Sequence, residues 1–130
     1  MRELAVVEDN RDNRLLLKLF LGDSYLLREY ENGADALEGM KRTVPDLILM
    51  DISLPGLDGK GVLARVRADE KLRHVPVIAI TAHAMVGDRE KLLGAGFDGY
   101  VSKPIVDEAV LVAAIEGALA TSFGRCEGRR

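Results

Sequence analysis

Four short apolar stretches of this 130-residue chain each run into side chains capable of chemistry: Glu8-Asp9, Asp51, Thr81 and Ser102-Lys103. Taken singly, each has a plain explanation, since paired acids at the end of a strand are commonly just solvated. Asp51 is harder to explain that way, because it directly follows Leu47-Ile48-Leu49-Met50, a run that is apolar throughout. Gathered on one edge, these groups would bring together three carboxylates, a hydroxyl and an ammonium. Clustered carboxylates repel and push one another's pKa up unless a cation is present. A divalent metal removes that conflict, and oxygen-only ligation without Cys or His favours Mg²⁺. A metal on two or three carboxylates, beside a Lys and a Thr hydroxyl, has the parts for phosphoryl transfer: charge neutralisation on one side, hydrogen-bond donors on the other. The Asp51 carboxylate is the most exposed nucleophile of the set and can form an acyl phosphate. The sequence has no nucleotide cradle, so the phosphoryl group must come from another molecule.

Positioning such a set requires strands that end together. Short apolar runs alternate with helical stretches, which argues for strand-helix units and a parallel sheet. Strands are expected over Leu4 to Val7, Tyr25 to Tyr30, Leu47 to Met50, Val75 to Ile80 and Tyr100-Val101. The second is more polar, as suits a sheet edge, and the third suits a strand covered on both faces. Asn10 can cap a helix to about Leu21, whose apolar residues recur every fourth position as Leu16, Phe20 and Leu15, Leu19. Asn32-Gly33 turns into a helix carrying Ala36, Leu37 and Met40, and the helix after Leu54-Pro55-Gly56-Leu57-Asp58-Gly59 buries Val62, Leu63 and Val66. A fourth helix, Met85 to about Ala95, is interrupted by Gly87 and Gly94, each costing about 1 kcal/mol against Ala, and should be the least stable. Asp107 opens a fifth with Leu111, Ile115 and Ala118 or Leu119 inward, with fraying expected after Ala120. Five strands and five helices in alternation fit one doubly wound α/β sandwich with right-handed crossovers. Ligands of such a sheet bind beyond the carboxyl ends of its strands.

The chain is long enough for one domain, and 48% apolar residues suffice for a core without staples. A net charge of -3 supplies no general attraction for nucleic acid, and Arg125, Arg129 and Arg130 against Glu127 read as a solubilising cluster. The lone Cys126 forms no internal disulfide and reads as a bystander thiol. No apolar run approaches the roughly 20 residues of a membrane span. Two acids, Glu3 and Glu8, arrive before a signal-peptide core could develop, so a cytoplasmic protein is expected.

Three other signals compete and fail. Gly94-Ala95-Gly96-Phe97-Asp98-Gly99 has the spacing of a dinucleotide loop but follows a helix and precedes a strand, the reverse of the order required. Gly56 to Gly61 lacks the spacing of a phosphate loop and the hydroxyl after Lys60, and reads as a turn. Nothing pairs His74 or His83 with a Ser or Cys nucleophile, so surface or supporting roles are expected for both.

Between Glu3 and Leu119 the chain resembles the CheY-like receiver domain of two-component response regulators. The resemblance rests on Val7-Glu8-Asp9-Asn10, on Met50-Asp51-Ile52-Ser53-Leu54-Pro55-Gly56-Leu57-Asp58-Gly59, on Ile80-Thr81-Ala82 and on Tyr100-Val101-Ser102-Lys103-Pro104. It implies a flavodoxin-like (βα)5 fold, with a receiver unit over 3–120 and a flexible tail over 121–130. It implies Asp51 as phosphoacceptor, charged by a histidine kinase or a histidine phosphotransfer protein. It implies Mg²⁺ on Glu8, Asp9, Asp51 and the Ser53 carbonyl. Lys103 would pair with the phosphoryl oxygens, Thr81 would bond to them, and small Ala82 would leave access open. The Lys103-Pro104 bond resembles the family's cis peptide, and Tyr100 takes the coupling role of an aromatic that exchanges exposed and buried rotamers. The opening motif and Thr81-Ala82-His83-Ala84-Met85 are most similar to stand-alone regulators and hybrid-kinase receivers.

The expected function is therefore a phosphorylation-controlled protein-binding switch that catalyses only its own phosphorylation and dephosphorylation. Ser53 and His83 would tune dephosphorylation, and output would run through the fourth helix, fifth strand and fifth helix, the α4-β5-α5 face, to a downstream protein. Two rivals stand beside it: a receiver-shaped adaptor that binds without phosphorylation, and a phosphohydrolase with an aspartyl nucleophile. The second lacks the acid such enzymes usually carry two residues after the nucleophile, where this chain has Ser53.

Overall fold

The computed structural model describes residues 2–52, 59–81, 91, 94, 96–102 and 108–127. Five parallel strands, β1 (Arg2–Val7), β2 (Tyr25–Tyr30), β3 (Leu47–Asp51), β4 (Val77–Thr81) and β5 (Gly99–Ser102), form one sheet in the order β2-β1-β3-β4-β5. Helices α1 (Arg11–Leu21), α2 (Gly33–Arg42) and α3 (Gly59–Ala68) connect them, and a C-terminal helix spans Glu108–Glu127. Strand order reverses at β1, which has β2 on one side and β3 on the other. The crevice beyond the carboxyl ends of β1 and β3 is thus the switch point of the sheet, where ligands of this architecture bind.

Alternation along the strands builds two cores, one on each face. Ala5, Val7, Ile48, Met50, Val77 and Ala79 meet Ala36, Leu37 and Met40 of α2 and Val62, Leu63 and Val66 of α3. Leu4, Val6, Leu47, Leu49, Ile78 and Ile80 meet Leu17 and Leu21 of α1 and Leu111, Ile115 and Leu119 of the C-terminal helix. β3 is buried at all five positions and β4 likewise, so each fully covered Leu or Ile there contributes about 1.5–3 kcal/mol. The doubly wound sheet and the inward residues expected for α2, α3 and the last helix are as the sequence predicts.

Several boundaries and one face differ. β1 begins at Arg2, and β5 spans four residues rather than two. β4 begins at Val77 rather than Val75: the Val75 N–H turns back to the Leu72 carbonyl at 2.9 Å, and Pro76 has no N–H to give the ladder. The C-terminal helix extends through Glu127, past Ala120. On α1 the stripe against the sheet is Leu17 and Leu21, flanked by Leu16 and Phe20, while Leu15 and Leu19 are 53% and 76% exposed. Of the helix expected over 85–95, residues 91 and 94 are described and both are helical. No helix among the described residues is long and apolar enough to cross a membrane.

Candidate functional site

β1 delivers Glu8 and Asp9 to the switch point, and its neighbour β3 delivers Asp51. Carboxylate oxygens of the three lie within 4.8 Å of one another. Glu8 and Asp51 are almost completely buried, at 1% and 3% exposure, whereas Asp9 faces solvent. Asp51 is therefore not the most exposed nucleophile of the set, contrary to the expectation from sequence, because it is still part of the covered strand β3 while Asp9 lies two residues past the end of β1. Thr81 is as buried as Asp51. It ends β4 one residue beyond Ile80, the partner of Asp51 in the ladder, which brings the hydroxyl-bearing strand end alongside the acids.

The first turns of α1 hold Glu8 in place. Asn10 caps the helix, its Oδ1 accepting from the Asp12 and Asn13 N–H groups at 2.8 and 3.1 Å. The Asn10 N–H and the Asn13 side-chain amide both donate to Glu8 Oε1, at 3.2 and 3.4 Å. Arg14 Nη1 donates to the Glu8 carbonyl at 2.8 Å, and the Glu8 N–H donates to the Tyr30 carbonyl at 3.0 Å. The Arg14 side chain is only 13% exposed and also faces Glu29 and Glu31, at 3.9 and 3.5 Å. Asn13 and Arg14 were not singled out by the sequence reading; their signal is their spacing from the cap, three and four residues after Asn10.

Three converging carboxylates suit a hard divalent cation. Mg²⁺ takes oxygen ligands at about 2.0–2.1 Å in octahedral array, so adjacent ligand oxygens sit about 2.9 Å apart and opposite ones about 4.1 Å, and the cluster needs to contract by at most about 2 Å. The donor set holds no nitrogen or sulfur that would favour a softer metal. Glu8, Asp9 and Asp51 therefore fit the Mg²⁺ site that the sequence implies.

Tyr100 lies on β5, half-buried against the core that contains Met50 and Val7. Ser53, Ala82, His83, Lys103 and Pro104 lie outside the described residues. His74 stands before β4, at the opposite edge of the sheet from the acids, where it accepts from Arg73 Nε at 3.4 Å. Gly96 adopts φ +112° in the turn before β5 and gives its carbonyl to Arg67, in keeping with a turn rather than a dinucleotide loop.

Residues 4–116 match the family described as the response regulator receiver domain. The chain is 43% identical over 105 residues to the polar-differentiation response regulator DivK of Brucella anthropi, covering 80% of this chain and 85% of that one. It is similar to the receiver domain of the sensor histidine kinase PA1611 from Pseudomonas aeruginosa, with 37% identity and a TM-score of 0.82. That match covers 92% of this chain and 98% of the other, whose structure carries a magnesium ion coordinated in the active-site cleft. The fold is also that of the Vibrio cholerae chemotaxis protein CheY4, with a TM-score of 0.83 at 20% identity over 91% of this chain and 98% of that one. Fold, acid cluster and matched residues agree: the chain belongs to the response regulator receiver domains of two-component systems.

Proposed function

We propose that this chain is a phosphorylation-controlled switch in which Asp51 takes a phosphoryl group from a phosphohistidine on a histidine kinase or a phosphotransfer protein. The observation that carries the reading is the convergence of Glu8, Asp9 and Asp51 within 4.8 Å at the carboxyl edge, with Thr81 beside them. An Asp51 oxygen attacks phosphorus in line with the departing imidazole. The P–N bond breaks with its electron pair returning to the ring, and a carboxyl–phosphate bond forms. Glu8, Asp9, Asp51 and the Ser53 carbonyl would hold Mg²⁺, which when bound supplies charge neutralisation for the incoming phosphoryl group.

The phosphoryl group adds a charge of about -1.5 to -2, which draws the Thr81 hydroxyl and the Lys103 ammonium toward it. Ala82, as a small residue after Thr81, would leave access to the phosphoryl group, and Lys103-Pro104 matches the family's motif at the end of the fifth strand. Half-buried Tyr100 shares a core with Met50, so it is placed to respond when the site contracts. Ser53 and His83, two residues beyond Asp51 and Thr81 in the sequence, would tune the lifetime of the acyl phosphate. The receiver unit spans 3–120 and acts in the cytoplasm. It turns over no small-molecule substrate beyond its own phosphorylation and dephosphorylation, and it signals to a downstream protein through the face of the helix over 85–95, β5 and the C-terminal helix.

Acetyl phosphate with Mg²⁺ tests the site directly. Wild-type protein should gain one phosphoryl mass and Asp51→Asn none. Equal uptake by both would overturn the assignment of Asp51.

A further inference from the structure

The binding of the first acid by α1 goes beyond what capping a helix requires. Glu8 is the longest of the three clustered acids. It has one more rotatable bond than an aspartate, so it loses more freedom when fixed as a ligand, and like-charge repulsion from Asp9 and Asp51 favours its turning away. The structure counters both tendencies from one helix turn. Asn13 and the Asn10 N–H hold Glu8 Oε1, and Arg14 holds the Glu8 carbonyl with a charge-assisted bond of 2.8 Å. The Arg14 contacts to Glu29 and Glu31, at 3.9 and 3.5 Å, are longer than its bond to the main chain directly before Asp9, at 2.8 Å.

We infer that Asn13 and Arg14 are positioning residues of the metal site, which pre-set Glu8 and the Glu8-Asp9 peptide so that cation binding does not have to order them. This rests on the reading of Glu8, Asp9 and Asp51 as the Mg²⁺ ligands. Arg14 fixes the carbonyl, and with it the direction in which both acids leave β1. Asn13 fixes one carboxylate oxygen and so limits rotation of the Glu8 side chain. Residues that orient a ligand without touching the metal characteristically change metal affinity about 10- to 100-fold when removed. Because Asn10 N–H remains on Oε1, the lower end of that range is expected here.

Calorimetric titration of Mg²⁺ into the full chain, without any phosphodonor, tests the inference. The variants are Asn13→Ala and Arg14→Met, with Leu15→Ala as a control on the solvent side of the same turn. Each variant should weaken Mg²⁺ binding about tenfold, while Leu15→Ala leaves it at the wild-type value. The urea midpoint of metal-free Asn13→Ala should stay with the wild type's, which separates positioning from a role in stability alone. If Asn13→Ala shows no cooperative urea transition, the Arg14→Met titration decides. Wild-type binding with both variants inside twofold would overturn the inference and leave the metal site standing. A wild type that takes up no Mg²⁺ at millimolar concentration would overturn the metal assignment, and the inference with it.

Discussion

Arg67 Nη2 donates to Asp98 Oδ2 at 2.8 Å, and the same carboxylate oxygen accepts the main-chain N–H of Val77 at 2.8 Å. The guanidinium also reaches the carbonyls of Arg73, Val75 and Gly96 at 2.8–2.9 Å. One side chain from the last turn of α3 therefore ties the entry of β4 to the turn that launches β5. Both strands carry site residues, Thr81 at the far end of β4 and Tyr100 next to the start of β5.

Breaking that tie should be costly. The Asp98 side chain is 9% exposed and that of Arg67 25%, so Arg67→Ala leaves a mostly buried carboxylate without its cation. The expected loss is about 2–3 kcal/mol, below the range for fully buried pairs because Arg67 is partly wet. Arg67→Lys should recover little, since both terminal nitrogens of the fork are in use on separate partners. Urea denaturation of the two variants checks this, and a Lys variant as stable as wild type would contradict it.

The edge chemistry was legible in the sequence because a parallel sheet places strand ends together: once Leu47-Ile48-Leu49-Met50 reads as a buried strand, Asp51 has to stand at the mouth of the crevice. The clasp was not, because Arg67 and Asp98 are 31 residues apart and nothing local marks them as partners. The phase of α1 was not legible either. Leu15-Leu16-Leu17 and Leu19-Phe20-Leu21 spread apolar residues over about two-thirds of the helix circumference, so spacing alone cannot select a narrow stripe. Tertiary contacts choose it, with Leu17 and Leu21 meeting the core of β1 and β3.

That choice predicts unequal mutational costs on one helix. Leu17→Ala removes a side chain that is 1% exposed and should cost about 2–5 kcal/mol. Leu19→Gln and Leu15→Gln, at 76% and 53% exposure, should stay within about 0.5 kcal/mol of wild type. Thermal or urea unfolding of the three variants measures the contrast, and comparable losses at Leu17 and Leu19 would mean that α1 packs in another phase.

Tyr25 and Glu116, 91 residues apart, make the chain's stability sensitive to alkaline pH. The Tyr25 hydroxyl donates to Glu116 Oε1 at 2.8 Å. Burial, followed by that bond to a carboxylate, pushes the phenol up from 10.0 to about 12. Below pH 10 both the folded and the unfolded chain keep the phenolic proton, and the stabilisation is fully present. Between pH 10 and about 12 the unfolded chain has lost a proton that the folded protein retains, so stability falls as pH rises. Two pKa units correspond to about 2–3 kcal/mol. Tyr25→Phe should be about 1 kcal/mol less stable than wild type at pH 7 and should lose its disadvantage above pH 10. Parallel urea titrations at the two pH values check the crossover.

Gly39 on α2 is held to glycine by an aromatic ring. A Cβ there would lie 2.4 Å from Tyr30 Cε1, 2.7 Å from Cζ and 2.6 Å from the hydroxyl oxygen, all closer than real contacts allow. Two effects of Gly39→Ala oppose each other. Alanine in a helix interior gains about 1 kcal/mol over glycine. Overpacking against a ring already set into the α2-side core costs about 1–3 kcal/mol. The ring is half-buried and shares that core with Met50 and Val7, so it yields less readily than the tip of a solvent-facing chain, and a net loss of about 1 kcal/mol is expected. Because Tyr30 directly pairs with Val7 and gives its carbonyl to the Glu8 N–H, a displaced Tyr30 should also weaken Mg²⁺ binding. The sign should reverse when the ring is absent: in a Tyr30→Ala background the same Gly39→Ala change should stabilise the protein by up to about 1 kcal/mol. A double-mutant cycle by urea unfolding reads the reversal, and destabilisation of equal size in both backgrounds would show that something other than Tyr30 keeps position 39 small.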